Sequence, residues 1–157
     1  MGSSPTPGVE AWRRILRSSM SALVPELDVS DLDASLAFYE SICGFGVRYA
    51  RLAERLAYLE REAAGLMLQE ADGPGRRFRT AALEHPFGRG VNLQVEIDDV
   101  DVVYERCERH GSDIVVPMEE RSYATDRGEE GSRQFVVGDP DGYLLRFVAS
   151  LGVRDSG

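Results

Sequence analysis

Histidine is scarce in this chain: its 157 residues contain only His85 and His110. Cysteine stops at two, Cys43 and Cys107, and tryptophan at one, Trp12. No cysteine has a histidine partner for nucleophilic chemistry, and there is neither a Gly-x-Ser-x-Gly elbow nor a glycine-rich loop opening a helix around a phosphate. No stretch approaches the roughly 20 apolar residues of a membrane helix. Positive charge is in deficit too, with 18 basic residues against 27 acidic ones and a net charge of −9. Such a field repels phosphates, which excludes nucleic acid as a natural partner and favours a cationic small molecule.

What is present suits an ordinary folded domain. Hydrophobic residues make up 43% and charged residues 29%. A chain of this length buries roughly 68–70% of its unfolded surface and needs no disulfide to hold it. Cys43 and Cys107 both fall in helix-like segments and read as buried thiols of a reducing, cytoplasmic protein.

The pattern divides the chain into five parts. Residues 1–20 are an extension, Ser/Pro/Gly-rich at first, then carrying Val9, Trp12, Ile15 and Leu16 at helical spacing. Residues 21–71 form a first module. Leu23, Leu27 and Val29 alternate as a half-buried strand, and Ser30 or Asp31 caps a helix with Leu32, Leu36, Tyr39 and Cys43 on one stripe, closed by Gly44. Strands follow near 47–52, 55–60 and 66–70. Residues 72–90 are a Gly/Pro/Arg-rich linker. Residues 91–150 repeat the order: a strand at 91–97, a helix from Asp98 or Asp99 through Val100, Val103, Cys107 and His110 to Gly111, and strands at 114–117, 134–137 and 143–149. Residues 122–133 are a loop or an edge strand, and residues 151–157 a tail.

Superposing Asp31 on Asp99 and Gly44 on Gly111 makes the halves match, an internal duplication seen in pattern more than in identity. The expected fold is α+β: two βαβββ modules forming a curved mixed sheet with both helices on its convex side. Strand parity then assigns the concave face. Glu26 and Asp28 oppose Leu27 and Val29; Met67 and Gln69 oppose Leu66 and Leu68; Asn92, Gln94 and Glu96 oppose Leu93, Val95 and Ile97; Arg146 opposes Leu145 and Phe147. Carboxylates, amides and one guanidinium therefore line the hollow. Tyr49, Tyr58, Phe78 and Phe87 are candidate stacking surfaces.

Two stretches carry a family likeness. Val24-Pro25-Glu26-Leu27-Asp28-Val29-Ser30-Asp31, followed by Ser35 to Tyr39 and Gly44-Phe45, resembles the opening of the vicinal oxygen chelate superfamily (glyoxalases, bleomycin resistance proteins and dioxygenases), and most of all the bleomycin resistance proteins. Arg133-Gln134-Phe135, Asp139-Pro140-Asp141-Gly142 and Leu145-Arg146-Phe147-Val148 resemble the family's final hairpin. The likeness runs from about Leu23 to Ala149.

The resemblance implies several properties. The metal-dependent members take their ligands from four inward strand positions, which here hold Val24, Met67, Asn92 and Arg146. An aliphatic group, a thioether, a neutral amide and a guanidinium make no site for a catalytic divalent cation. The expectation is thus a protein without metal or cofactor and without catalytic residues, binding a cationic bleomycin-type antibiotic at Glu26, Asp28, Tyr49, Tyr58, Met67, Gln69, Phe87, Asn92, Gln94, Glu96 and Arg146. The resemblance also implies a homodimer exchanging an N-terminal arm, with the ligand held between subunits, and it places Tyr49 at a ligand-side aromatic. One departure stands out: where the resistance proteins carry Trp-Gly before the Arg-x-Phe, this chain has Gly131-Ser132. The alternatives are a metal-dependent glyoxalase- or dioxygenase-type enzyme and a regulatory protein with a self-filled cleft.

Overall fold

Each half of the chain starts a helix on an aspartate and stops it on a glycine. In the computed structural model, which describes residues 21–154, Asp31 Oδ1 accepts the amides of Asp33 at 2.9 Å and Ala34 at 3.1 Å. Such a cap stabilises a helix by about 1 kcal/mol. Helix α1 runs as α-helix over Leu32–Leu36 and continues in π geometry over Ala37–Ile42. The wider turn accompanies burial of two sequence neighbours, Phe38 and Tyr39, rather than one. Gly44, at φ +77°, ends it; Gly111, at φ +64°, ends α2 (Val100–Arg109) in the same left-handed way. The extension with Trp12 and the last three residues of the tail lie outside the described residues.

The strands are β1 (Glu26–Val29), β2 (Gly46–Arg51), β3 (Leu56–Arg61), β4 (Ala64–Glu70), β5 (Asn92–Glu96), β6 (Asp113–Thr125), β7 (Gly128–Gly138) and β8 (Leu144–Arg154). The expected mixed sheet is present as two four-stranded sheets, one per module, ordered β1-β4-β3-β2 and β5-β8-β7-β6. In both, the first strand runs parallel to the last and the other pairings are antiparallel. The duplication inferred from pattern is thus a duplication of topology.

The second module departs from the first in length. The expectation for residues 122–133 left a loop and an edge strand open. Here β6 and β7 run through that stretch as paired strands, with Tyr123 opposite Glu130 and Thr125 opposite Gly128. β8 likewise continues to Arg154; its apolar alternation runs on through Leu151 and Val153, but both side chains are exposed. Backbone pairing extends these strands where burial does not, and in the β6–β7 hairpin hydrophobic period gave no sign of it.

One apolar core joins the modules. Val29, Leu32, Tyr39, Leu59 and Leu68 meet Val95, Val103, Phe135, Leu145 and Phe147 in one buried cluster. Phe135 and Phe147 stack at 5.5 Å between centroids, and both cysteines are buried here. Polar ties reinforce the seam. Tyr39 Oη donates to Asp139 Oδ2 at 2.9 Å, Tyr143 Oη to the Asp28 carbonyl at 2.8 Å, and the Ser30 amide to Asp141 Oδ2 at 3.0 Å. Arg61 reaches both the carbonyl of Cys43, at the end of α1, and Asp99, at the start of α2. Among the described residues no helix is long and apolar enough to cross a membrane.

Candidate functional site

Strand register puts the expected inward residues in rows. Across the first sheet, Glu26 lies opposite Met67, Met67 opposite Tyr58, and Tyr58 opposite Tyr49. The two tyrosine rings stack at 5.4 Å with planes 25° apart. Tyr58 is fully buried, and its Oη accepts the Ser21 amide at 3.3 Å. One register step on, Asp28 faces Gln69, whose Nε2 donates to Asp28 Oδ1 at 2.9 Å. Both are buried, because the linker folds over them. Arg79 Nε donates to Asp28 Oδ2 at 2.6 Å, and Arg77 Nε lies 4.0 Å from its other oxygen. A buried carboxylate needs such partners.

Glu26, Asp28 and Phe87 border a cavity of about 500 Å³ with Phe78, Arg79 and Tyr143. The first module's inward face is thus half closed by its own linker. Tyr49, Tyr58 and Met67 form the aromatic and thioether row beside it.

The second sheet carries an open polar cleft of about 330 Å³. Gln94 lies opposite Arg146 and Glu96 opposite Val148, so β5 and β8 point these side chains to one face. Arg146 Nη2 donates to Gln94 Oε1, while its Nε is buried without a partner. Gln134, on β7, joins the same wall and donates to Glu119 Oε1 at 3.2 Å. Glu119 is held below the usual carboxylate range, first by the Arg121 hydrogen bond and then by Gln134. Tyr123, Glu130, Ser132 and Ser150 complete the rim.

These last residues were missed from sequence, although one signal for them existed. The alternation that sends Phe135 and Val137 to the core sends Gln134, Ser132 and Glu130 the other way. Tyr123 needed knowledge that β6 continues. Asn92 sits exposed at the start of β5 opposite Leu144, away from the cleft lining. Gln94, Glu96 and Arg146 are therefore brought together; Glu26, Asp28 and Phe87 gather separately; Met67, Tyr49 and Tyr58 form a third group.

A larger cavity of about 940 Å³ opens between α1, the linker and the β7–β8 turn, lined by Phe38, Ile42, Pro86 and Phe87 and by both histidines. Its walls are mostly apolar, and of the inward residues only Phe87 reaches it. Size alone would favour it. The smaller cleft is the better candidate, because polar and charged groups converge there from four strands to fix a ligand's orientation.

Among the described residues, no three His, Cys, Asp or Glu side chains gather where an ion could sit. Around the inward positions, a guanidinium bonded to an amide and a thioether facing a glutamate do not fit a catalytic divalent cation.

Residues 23–147 match the family model described as the Glyoxalase/Bleomycin resistance protein/Dioxygenase superfamily. A bleomycin resistance protein of Klebsiella pneumoniae is 28% identical over 124 residues, spanning 79% of this chain and 88% of that one. Among solved structures, TioX from Micromonospora sp. ML1 superposes with a TM-score of 0.63 at 25% identity, covering 83% of this chain and 99% of its own. A glyoxalase/bleomycin resistance protein/dioxygenase from Alicyclobacillus acidocaldarius shares the fold with a TM-score of 0.56 at 17% identity, covering 82% of this chain and 90% of its own.

Proposed function

The chain belongs to the glyoxalase/bleomycin resistance protein/dioxygenase superfamily, and we propose that within it this protein is a binder: it sequesters a cationic, bleomycin-type antibiotic without metal and without turnover. The observation that carries the reading is the furnishing of the second module's cleft. Glu96, Glu130, Gln94 and Gln134 offer charge and hydrogen bonds, and among the described residues no three His, Cys, Asp or Glu side chains gather to hold a Lewis acid. The net charge of −9 draws a cation towards the surface. Resistance then follows from mass action, as bound drug is withdrawn from its target.

A cleft of about 330 Å³ is at the small end for a ligand of that size. A homodimer enlarges it. When the open cleft of one subunit faces the Glu26–Met67–Tyr49 row of another, with Tyr58 buried behind it, the Tyr49 ring and the carboxylates of both modules border one groove. The K. pneumoniae bleomycin resistance protein, similar along most of this chain, supports this ligand class.

The test is a thermal-shift screen of purified protein with metal-free bleomycin and other cationic glycopeptides, run beside sedimentation velocity. At ligand concentrations about 100-fold above Kd, stabilisation of about 2.7 kcal/mol is expected, with the protein sedimenting as a dimer. Absence of any shift with every bleomycin removes that drug class, and a monomer removes the shared groove.

A further inference from the structure

Four of this protein's arginines bond carboxylates around its packed regions. Arg55 bonds Glu70 and Asp33, Arg61 bonds Asp99, Arg79 bonds Asp28, and Arg133 bonds Asp101. Arg146 does not, and its Nε is the one arginine nitrogen among the described residues that is buried without a partner. It lines the open cleft, gives one hydrogen bond to the neutral Gln94 side chain, and leaves Nε buried with no acceptor. Among the described residues no carboxylate lies within ion-pairing distance of it.

Glu96 shares that wall. It lies two residues beyond Gln94 on β5, roughly 6.6 Å along the strand, and it too makes no ion pair among the described residues. A cleft made only for a cation would gain nothing from an unneutralised guanidinium, which repels its ligand. A cleft made for an anion would not carry Glu96 and Glu130 on its lining. Two opposite charges on one wall, neither in an ion pair among the described residues, complement a ligand bearing both signs. A buried guanidinium N–H with no acceptor is an unmet demand that a ligand oxygen satisfies.

We propose that Arg146 is the docking point for an acceptor oxygen of the ligand, a carboxylate or, more weakly, an amide carbonyl, while Glu96 receives the ligand's cationic group. The preferred ligand is therefore amphoteric rather than simply cationic. This rests on the cleft being the binding site proposed above, and deepens that reading by naming what the ligand must carry.

Three probes with one ring and different heads separate the terms: phenethylamine (cation alone), L-phenylalanine (both charges) and 3-phenylpropionate (anion alone). Each is titrated into the full chain while NMR follows the Arg146 Nε–Hε signal and the backbone amides of Gly131 and Ser132 on the rim. L-phenylalanine is expected to bind about tenfold more tightly than phenethylamine, the order of one charge-assisted hydrogen bond, and to move the Nε–Hε signal. Arg146→Leu should erase that advantage. Glu96→Gln should weaken phenethylamine and L-phenylalanine but not 3-phenylpropionate. Phenethylamine binding as tightly as L-phenylalanine, with Nε–Hε stationary, overturns the inference and leaves a cation-binding cleft standing. If none of the three moves any cleft signal at tens of millimolar, the inference and the cleft's role as the binding site fall together.

Discussion

Tyr39 and Asp139 stand 100 residues apart in the chain and share a buried hydrogen bond of 2.9 Å, Oη to Oδ2, that ties α1 to the β7–β8 turn. Burial raises the Asp139 pKa, an effect that the Tyr39 hydroxyl and the amides of Tyr143 and Asp141 oppose. Burial, followed by the charge of Asp139, pushes the Tyr39 phenol well above its usual range. The two modules are thus held in relation by a carboxylate whose charge burial disfavours and three hydrogen bonds favour.

Tyr39→Phe removes one of three donors from that carboxylate, and a loss of about 1–3 kcal/mol is expected. The sign of its pH dependence follows from linkage. Because folding raises the Asp139 pKa, this group's contribution to stability is full below its unfolded pKa and is lost as pH rises through its folded one. The tyrosine bond favours the charged form. The mutational deficit should therefore be greatest near neutral pH and shrink in acid, where Asp139 is protonated with or without Tyr39. Urea unfolding of both proteins from pH 4 to 7.5 measures it; a deficit that grows in acid contradicts the assignment.

The β7–β8 turn is locked to the linker at a position where no side chain fits. Gly142 adopts φ +91°, and a Cβ there would lie 2.5 Å from Pro86 Cβ and 2.9 Å from its Cα. Gly111 also has positive φ but faces open space. Gly111→Ala should cost about 1–2 kcal/mol for the left-handed backbone. Gly142→Ala should cost about 1–3 kcal/mol more, because neighbouring atoms must move. Melting temperatures of the two variants give the comparison, and equal losses would show that the linker is not packed on the turn.

Both thiols should be inert in the native protein. Burial pushes Cys43 far up, with Cys107 adding to it, and burial pushes Cys107 up to about 11. At pH 8 a disulfide reagent should find no reactive thiol in the folded chain and two per chain in denaturant. Rapid native labelling of either cysteine would contradict the packing of α1 against α2.

Much of this architecture is written in local pattern. Asp31 and Gly44 bracket one helix, Asp99 and Gly111 the other, and the alternation around Leu27, Val95 and Phe147 assigns the core face. Gln94, Glu96 and Arg146 were readable as neighbours for the same reason, since parity fixes the face and the parallel β5–β8 pairing does the rest. The linker's behaviour was not readable. Its polar composition marks Arg77 and Arg79 as loop, yet they fold back to seal Asp28, a contact between residues 51 apart that no period encodes. The long β6–β7 hairpin escaped for a different reason: Arg121 to Thr125 pair through their backbones while their side chains stay in solvent.

The central claim, binding without metal, is tested most directly by calorimetric titration of metal-free bleomycin into chelator-treated protein, repeated after adding zinc, nickel, manganese or ferrous iron. The account predicts saturable binding in chelator with an affinity that none of these ions improves, and unaltered drug recovered afterwards. Binding that appears only with stoichiometric metal held in the cleft, or recovery of a modified drug, would contradict it.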